Sequence, residues 1–372
     1  MFKESYEKFI TDSARVTALV DATVIDGTGS PSKKHQTIVI EDGVITKLGT
    51  TEVVKPPAGA TVINCSGKTV IPGMVMLHEH LYYTMEMGPY FNLAEMPYSF
   101  PRMYLAGGAT TIRTAGSIEP QTDLAIKRLI GEGRYLGPDI DVTAPYIERK
   151  GWDIPTMFEI KDSSEATSMV NFWADRGCTN FKMYTHATIE DLEHGFLASA
   201  DFDHERKGHE FNVRRESKAL ENLDLNSPEM KSLINLLVSK KVALTSTLPV
   251  FAPYTNAEVI LGGGDSVLLP EAYKLVKDRR TWYQHKDSDD AVLFKKELVW
   301  EKQFYDAGGL LVCGTDPTGS GNVLPGYSSR TELEFLVAGG FSVVQAIRIA
   351  TLNGAKYHSF LKISIFGAVP IA

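Results

Sequence analysis

The sequence predicts an α/β protein built on a TIM-like (β/α) barrel, preceded by a small β element. Two observations carry this. From Val16 to Val70 the chain reads as short strands broken by turns, whereas from Ile71 onward short apolar strands alternate with longer helical segments. That alternation continues to about residue 360, and a barrel of eight such units takes roughly 250 residues.

In the first region the strand candidates are ALVDATVID and QTIVIEDGVITKLG, separated by Gly27-Thr28-Gly29-Ser30-Pro31. Asp42-Gly43 inside the second is a two-residue hairpin signal, because both residues accept the positive φ that such a turn demands. In the second region the strand candidates are IPGMVMLHEH, ATTIRTAG, DIDVTAP, TNFKMYT, KVALTSTLP and LLVCGTDP. Helix-like stretches lie between them, among them DLAIKRLIGEG, EATSMVNFWADRG, NSPEMKSLINLLVSK and RTELEFLVAGG. Residues 199–226 are polar and aperiodic, as a long excursion over one barrel end would be. The expected organisation is an extension over 1–15, the β element over 16–70, the barrel over 71–360 and an atypical apolar tail over 361–372.

Composition narrows the function. A formal charge of −8 on 372 residues, without a clustered basic patch, argues against a nucleic-acid partner and for a small-molecule substrate. Cys65, Cys178 and Cys313 are too far apart for a metal knuckle or a disulfide framework, and read as buried thiols. The first residues, MFKESYEKFITDSARV, lack the apolar core of a signal peptide, and no run reaches the roughly 20 apolar residues of a membrane span. A cytoplasmic protein without a membrane partner is expected, with homo-oligomerisation left open.

The chemistry concentrates at strand ends. On a strand, residues i and i+2 share a side, so His78 and His80 project together from the carboxyl end of the first barrel strand. That is an arrangement a divalent metal can use, although two histidines also share a rim by chance. Asp316 ends the last strand candidate and reads either as a metal ligand and proton acceptor or as a helix N-cap ahead of Pro317. Lys182 shares a strand face with Asn180 and Tyr184; it is a solvated rim lysine or a paired or modified one inside the mouth. His194, in DLEHGF, is a further ligand candidate or a structural histidine.

Together these stretches resemble a known family. The run TVIPGMVMLHEHLYY is similar to the first-strand signature of the metal-dependent amidohydrolase superfamily, with Met76 where an aspartate often stands. NFKMYTH, LEHGF, VALTSTL and GTDPTGSGNVLPG followed by ELEFLVAGGFSVVQAIRIATLNGAK resemble later strands of its imidazolonepropionase-like and prolidase-like branch. The resemblance implies a barrel flanked by a small sandwich built from both termini. It implies one or two zinc ions, or manganese, iron or cobalt, held by His78, His80, a carboxylated Lys182, a strand 5 histidine, His194 and Asp316. Metal-activated water would attack an amide carbonyl of a small or dipeptide substrate, Asp316 would relay the proton, and Tyr184 would hold the substrate.

The chain departs from that pattern in two places. Only 11 residues, Met183 to Glu193, separate Lys182 from His194, where the family places a complete βα unit and its histidine. A single parallel crossover takes about a dozen residues, so the unit and its ligand are expected to be missing. His186, His204 and His209 have neither strand nor helix spacing to replace it. The family also continues past strand 8 where this chain ends in SIFGAVPIA. Three readings follow: a hydrolase of an amide-type C–N bond, a catalytically impaired variant, such as an alternative product of an amidohydrolase gene without the strand 5 ligand, or, between them, a single-metal hydrolase using His78, His80 and Asp316 with His194.

Overall fold

A computed structural model describes residues 14–87, 90–148, 157–183, 192–193, 213–254, 264–284 and 290–359. The first region is a five-stranded sheet of β1 (Val16–Val24), β2 (Lys33–Glu41), β3 (Val44–Thr50), β4 (Thr61–Asn64) and β5 (Thr69–Val70). Its order is β3-β2-β1-β4, with β5 also on β1. The β2–β3 turn has φ of 49° at Asp42 and 78° at Gly43, the conformation the Asp-Gly pair was expected to supply. Leu19, Ala22, Val24, Ile38 and Cys65 form its core. Among the described residues these strands make one sheet, so the expected sandwich reduces to a single layer here.

The second region holds a six-stranded parallel sheet. Its members are β6 (Met74–Glu79), β9 (Ala109–Thr114), β10 (Asp139–Asp141), β13 (Leu192–Glu193), β14 (Ala243–Ser246) and β15 (Leu310–Cys313). The order is β10-β9-β6-β15-β14-β13, so the last strand in sequence pairs with the first, through Cys313 and Met76. Parallel bridges from Thr143 to Asn180 and from Ile147 to Met183 extend the run beyond β10. Residues 180–183 and β13 are therefore its two edges, and among the described residues no pairing joins them. Strands β7 (Tyr82–Met87) and β8 (Tyr90–Glu95) form an antiparallel hairpin directly after β6. β11 (Ile147–Glu148) and β12 (Phe158–Glu159) make a short parallel pair.

Five of the six strands forecast in the second region form inside their apolar runs, whereas TNFKMYT contributes only isolated bridges at Asn180 and Met183. Buried positions are continuous in β6, as expected for a sheet covered on both faces. The forecast helices are present at Pro120–Gly131, Ser163–Ala174, Pro228–Ser239 and Tyr327–Ala338. One segment differs. Residues 213–222 of the polar excursion form a helix, VRRESKALEN, in which Leu220 is buried. A helix this polar is stabilised by what it packs against rather than by a wide apolar stripe, so its pattern gave little warning. Among the described residues no helix is long and apolar enough to cross a membrane.

Candidate metal centre

His78 lies near the end of β6 and His80 one residue past it; both rings are buried, with centroids 5.6 Å apart. Asp316 follows β15, the strand beside β6, and reaches the same point. Its Oδ1 is 3.1 Å from His80 Nε2 and its Oδ2 3.7 Å from His78 Nε2. One ligand atom from each of the three residues lies within 4.8 Å of the others. Lys182, also buried, brings Nζ to 3.4 Å from His78 Nε2.

Backbone geometry sets Asp316. Its amide and that of Thr315 both donate to the His78 carbonyl, and its φ is 45°. No helix starts at Pro317, since the next element is a 3₁₀ turn at Gly319–Gly321, so the N-cap alternative is excluded. Thr318 Oγ1 donates to Asp316 Oδ1 at 3.0 Å, fixing the carboxylate plane. Gly314 lets β15 pass this close: a Cβ there would meet His78 Cβ at 2.4 Å.

His80 is held from three directions. The Tyr104 hydroxyl donates to its carbonyl at 2.8 Å and accepts from its amide at 3.2 Å. The ring nitrogen Nδ1 donates to the Gly116 carbonyl at 3.3 Å, which leaves Nε2 as a lone pair aimed at a carboxylate. Two acceptors facing each other at 3.1 Å call for a proton or a cation between them. Finally, the Tyr82 ring lies 4.6 Å from the His80 ring, and the Tyr82 and Tyr146 hydroxyls share a hydrogen bond of 2.7 Å. Gly116, at φ 88°, makes room for Tyr146: a Cβ there would stand 2.6 Å from its ring.

The donor set suits a divalent ion. Ligand bonds of roughly 2.0–2.2 Å in a tetrahedron separate neighbouring ligand atoms by roughly 3.3–3.6 Å. The 3.1 and 3.7 Å separations from Asp316 to the two histidines bracket that value. Tyr184 and His194, the other two site residues read from the sequence, lie outside the described residues, as do His186, His204 and His209.

Sequence reasoning missed a second buried layer. Glu79, between the two histidines, points the other way and accepts from Thr315 Oγ1 at 2.7 Å; burial pushes its carboxyl up to about 8. Behind β14 and β15, Ser246 Oγ donates to Glu301 at 2.8 Å and the Leu248 amide to Glu332 at 3.0 Å. Burial raises both carboxyls, and their proximity raises Glu332 further. The buried Cys313 thiol feels Glu332, Glu301 and Glu79 together, which locates the three acids around one strand. The HEH triplet held a signal for Glu79, because alternation turns it away from its neighbours. Glu301 and Glu332 carried none.

The comparisons with known proteins point one way. No family model matches the chain. Enamidase from Eubacterium barkeri is 36% identical over 88 residues, 24% of this chain and 22% of the enamidase. Imidazolonepropionase from Vibrio cholerae serotype O1 is 30% identical over 115 residues, 30% of this chain and 28% of that protein. The matched sequence thus spans about a quarter of each relative's length. A crystal structure of a Xaa-Pro dipeptidase with bound methionine shares the fold at a TM-score of 0.61 and 15% identity, over 95% of this chain and 91% of that one. These likenesses support the amidohydrolase superfamily as the family that this chain resembles. The imidazolonepropionase match supports the branch that the motifs led one to expect, and the dipeptidase shares the fold. Its parallel α/β sheet is the part of the expected barrel that these likenesses support.

Proposed function

We propose that the chain is a metal-dependent hydrolase of an amide-type carbon–nitrogen bond in a small substrate, working with one divalent ion. The observation that carries this reading is the convergence of His78, His80 and Asp316 in one buried pocket. Enamidase and imidazolonepropionase among the relatives, and a dipeptidase among the fold neighbours, support the bond type.

His78 and His80 would hold the ion through Nε2 and Asp316 through its carboxylate, with the Lys182 amine, free or carboxylated, completing the set. Zinc suits two imidazoles and a carboxylate first. When bound, such an ion supplies an activated water and polarises a carbonyl. The protein supplies the proton path: Asp316 Oδ2, the oxygen not bound by Thr318, accepts a proton and delivers it to the leaving nitrogen. Tyr104 and the Gly116 carbonyl hold His80 in one orientation and tautomer, so Asp316 meets a fixed partner.

Chain length supports a single ion. Met183 and Leu192 sit on opposite edges of the sheet run, and the eight residues between them, 184–191, are fewer than one parallel crossover takes. That interval is where the family pattern holds the histidine of a second ion. The test is metal analysis of zinc-supplemented, dialysed protein alongside hydrolysis of a panel of dipeptides and N-acyl amino acids. One zinc per chain with turnover of at least one panel member is expected. No retained zinc would overturn the reading in favour of a barrel that keeps the fold without the reaction.

A further inference from the structure

We propose that Asp123 is a positioning residue for the ligand His80: through Ser117 it locks the peptide group that fixes the His80 ring. The proposal rests on the hydrolase reading above. Asp123 lies in the first turn of helix Pro120–Gly131, and Ser117 lies in the loop between β9 and that helix; both are buried. The Ser117 hydroxyl donates to Asp123 Oδ2. This bond is no helix cap, because it ends on a carboxylate and the cap position, Glu119, makes no side-chain cap bond.

The peptide between Gly116 and Ser117 is the link. Its carbonyl accepts from His80 Nδ1 at 3.3 Å, and its N–H, which belongs to Ser117, donates to the Ala144 carbonyl at 3.3 Å. Gly116, at φ 88°, is the residue about which this loop can turn most easily, and a turn there would swing the carbonyl away from His80. The bond from Ser117 to Asp123 ties the peptide to the helix that follows and opposes that turn. With the carbonyl in place, Nδ1 carries the ring proton and Nε2 keeps its lone pair for the ion.

Asp123 is itself held as an acceptor. Glu95, at the end of hairpin strand β8, brings its carboxyl against it. Asp123 Oδ1 and Glu95 Oε2 are both buried and find no hydrogen-bond donor in other groups, so one proton shared between the two carboxyls satisfies them. Burial, with Asp123 and then Glu119 adding to it, pushes Glu95 up to about 9, and Glu95 therefore carries that proton. Burial raises Asp123 as well, but the bonds from Glu95 and Ser117 work the other way, as does the N-terminal end of its helix. The Asp123 carboxylate thus takes donors from two sides, and the hairpin that follows the histidine strand is fastened to the same anchor.

The experiment uses the full chain and two readouts. Zinc affinity is measured by competition with a chelating dye, and the His80 tautomer by nitrogen NMR of zinc-free, histidine-labelled protein, with the signal assigned by its loss in H80N. S117A should weaken zinc binding by about tenfold and give His80 a mixture of Nδ1–H and Nε2–H forms. D123A should do the same, whereas D123N, whose side-chain oxygen still accepts from Ser117, should lie closer to the unmodified chain than to D123A. A purely structural role would lower the urea midpoint of these variants without moving the tautomer. A single Nδ1–H form in S117A, or unchanged zinc affinity, would overturn the proposal. So would a D123N as weak as D123A, since charge rather than the hydrogen bond would then set the ligand. If D123A does not fold, S117A decides. Loss of tautomer control in S117A supports the proposal even where no dipeptide or N-acyl amino acid is hydrolysed, a result that removes the hydrolase reading alone.

Discussion

Two buried polar layers lie back to back on β6, β14 and β15, and they solve the same problem differently. On the mouth side, His78, His80, Lys182 and Asp316 converge, and the Asp316 carboxylate faces two ring nitrogens. On the helix side, Glu79, Glu301 and Glu332 are fully buried, each against a hydroxyl or an amide and none against a formal cation in these contacts. A carboxyl out of water must be matched by positive charge or must keep its proton. The mouth layer is built for the first solution, whereas burial pushes the helix layer toward the second. Residues one position apart on a strand, His78 and Glu79, therefore belong to different chemistry because alternation sends them to opposite faces.

The largest effect should come from removing the charge in the mouth layer. D316N keeps the shape and the Thr318 contact but loses both the anionic ligand and the proton acceptor. Zinc retention should fall by at least about tenfold and hydrolysis to background, since the residue serves both binding and chemistry. Equilibrium dialysis against zinc separates the two losses. Unchanged zinc affinity in D316N would break the comparison, because the mouth carboxylate would then need no cation.

A smaller effect is expected from G116A, which alters no ligand. The added methyl meets the Tyr146 ring at 2.6 Å and a backbone at φ 88°, and the carbonyl displaced with it is the partner of His80 Nδ1. Weakening of zinc binding by about 10-fold and destabilisation of about 1–3 kcal/mol should follow, from a lost orienting bond and overpacking. The expected pattern is that Y146A in the G116A background recovers part of the stability, by removing the ring the methyl strikes. Chemical denaturation of the single and double variants measures it.

Much of this arrangement was legible before any coordinates. The strand runs were marked by apolar stretches bounded by Gly and Pro, and the period of two placed His78 and His80 on one side. The meeting of Asp316 and Lys182 with them was implied by the family pattern, and alternation also placed Lys182 on one strand face with Asn180 and Tyr184. What stayed hidden depends on partners remote in sequence. Gly116 reads as an ordinary turn glycine until Tyr146 is seen against it, and Asp123 reads as an ordinary first-turn helix acid until Ser117 and Glu95 are seen against it. Glu301 and Glu332 lie in helices that also carry exposed charges, such as Asp306 and Arg330, so no local signal separated them from surface acids.

The finest test of the comparison is the proton held by the helix layer. Glu301 is buried, bonded to Ser246 Oγ, and its carboxyl is raised from the ordinary value near 4.5 to about 8. In the folded chain it keeps its proton across that interval, whereas the unfolded chain releases it above about 4.5. The unfolded state then binds fewer protons, so stability contributed by this group is greatest at low pH and is lost as pH rises from about 4.5 toward 8. The slope from one such group is at most about 1.4 kcal/mol per pH unit. E301Q keeps the shape and a hydrogen-bonding amide but has nothing to titrate. Urea unfolding of metal-free protein between pH 5 and 8 should therefore show a shallower decline in E301Q than in the unmodified chain, with the curves converging at the acid end if the amide packs equally well. Zinc retention should be the same in both, because Glu301 faces away from the ligands. A parallel pair of stability curves would mean that Glu301 is already ionised in the folded chain, and the helix layer would then need a counter-charge just as the mouth does.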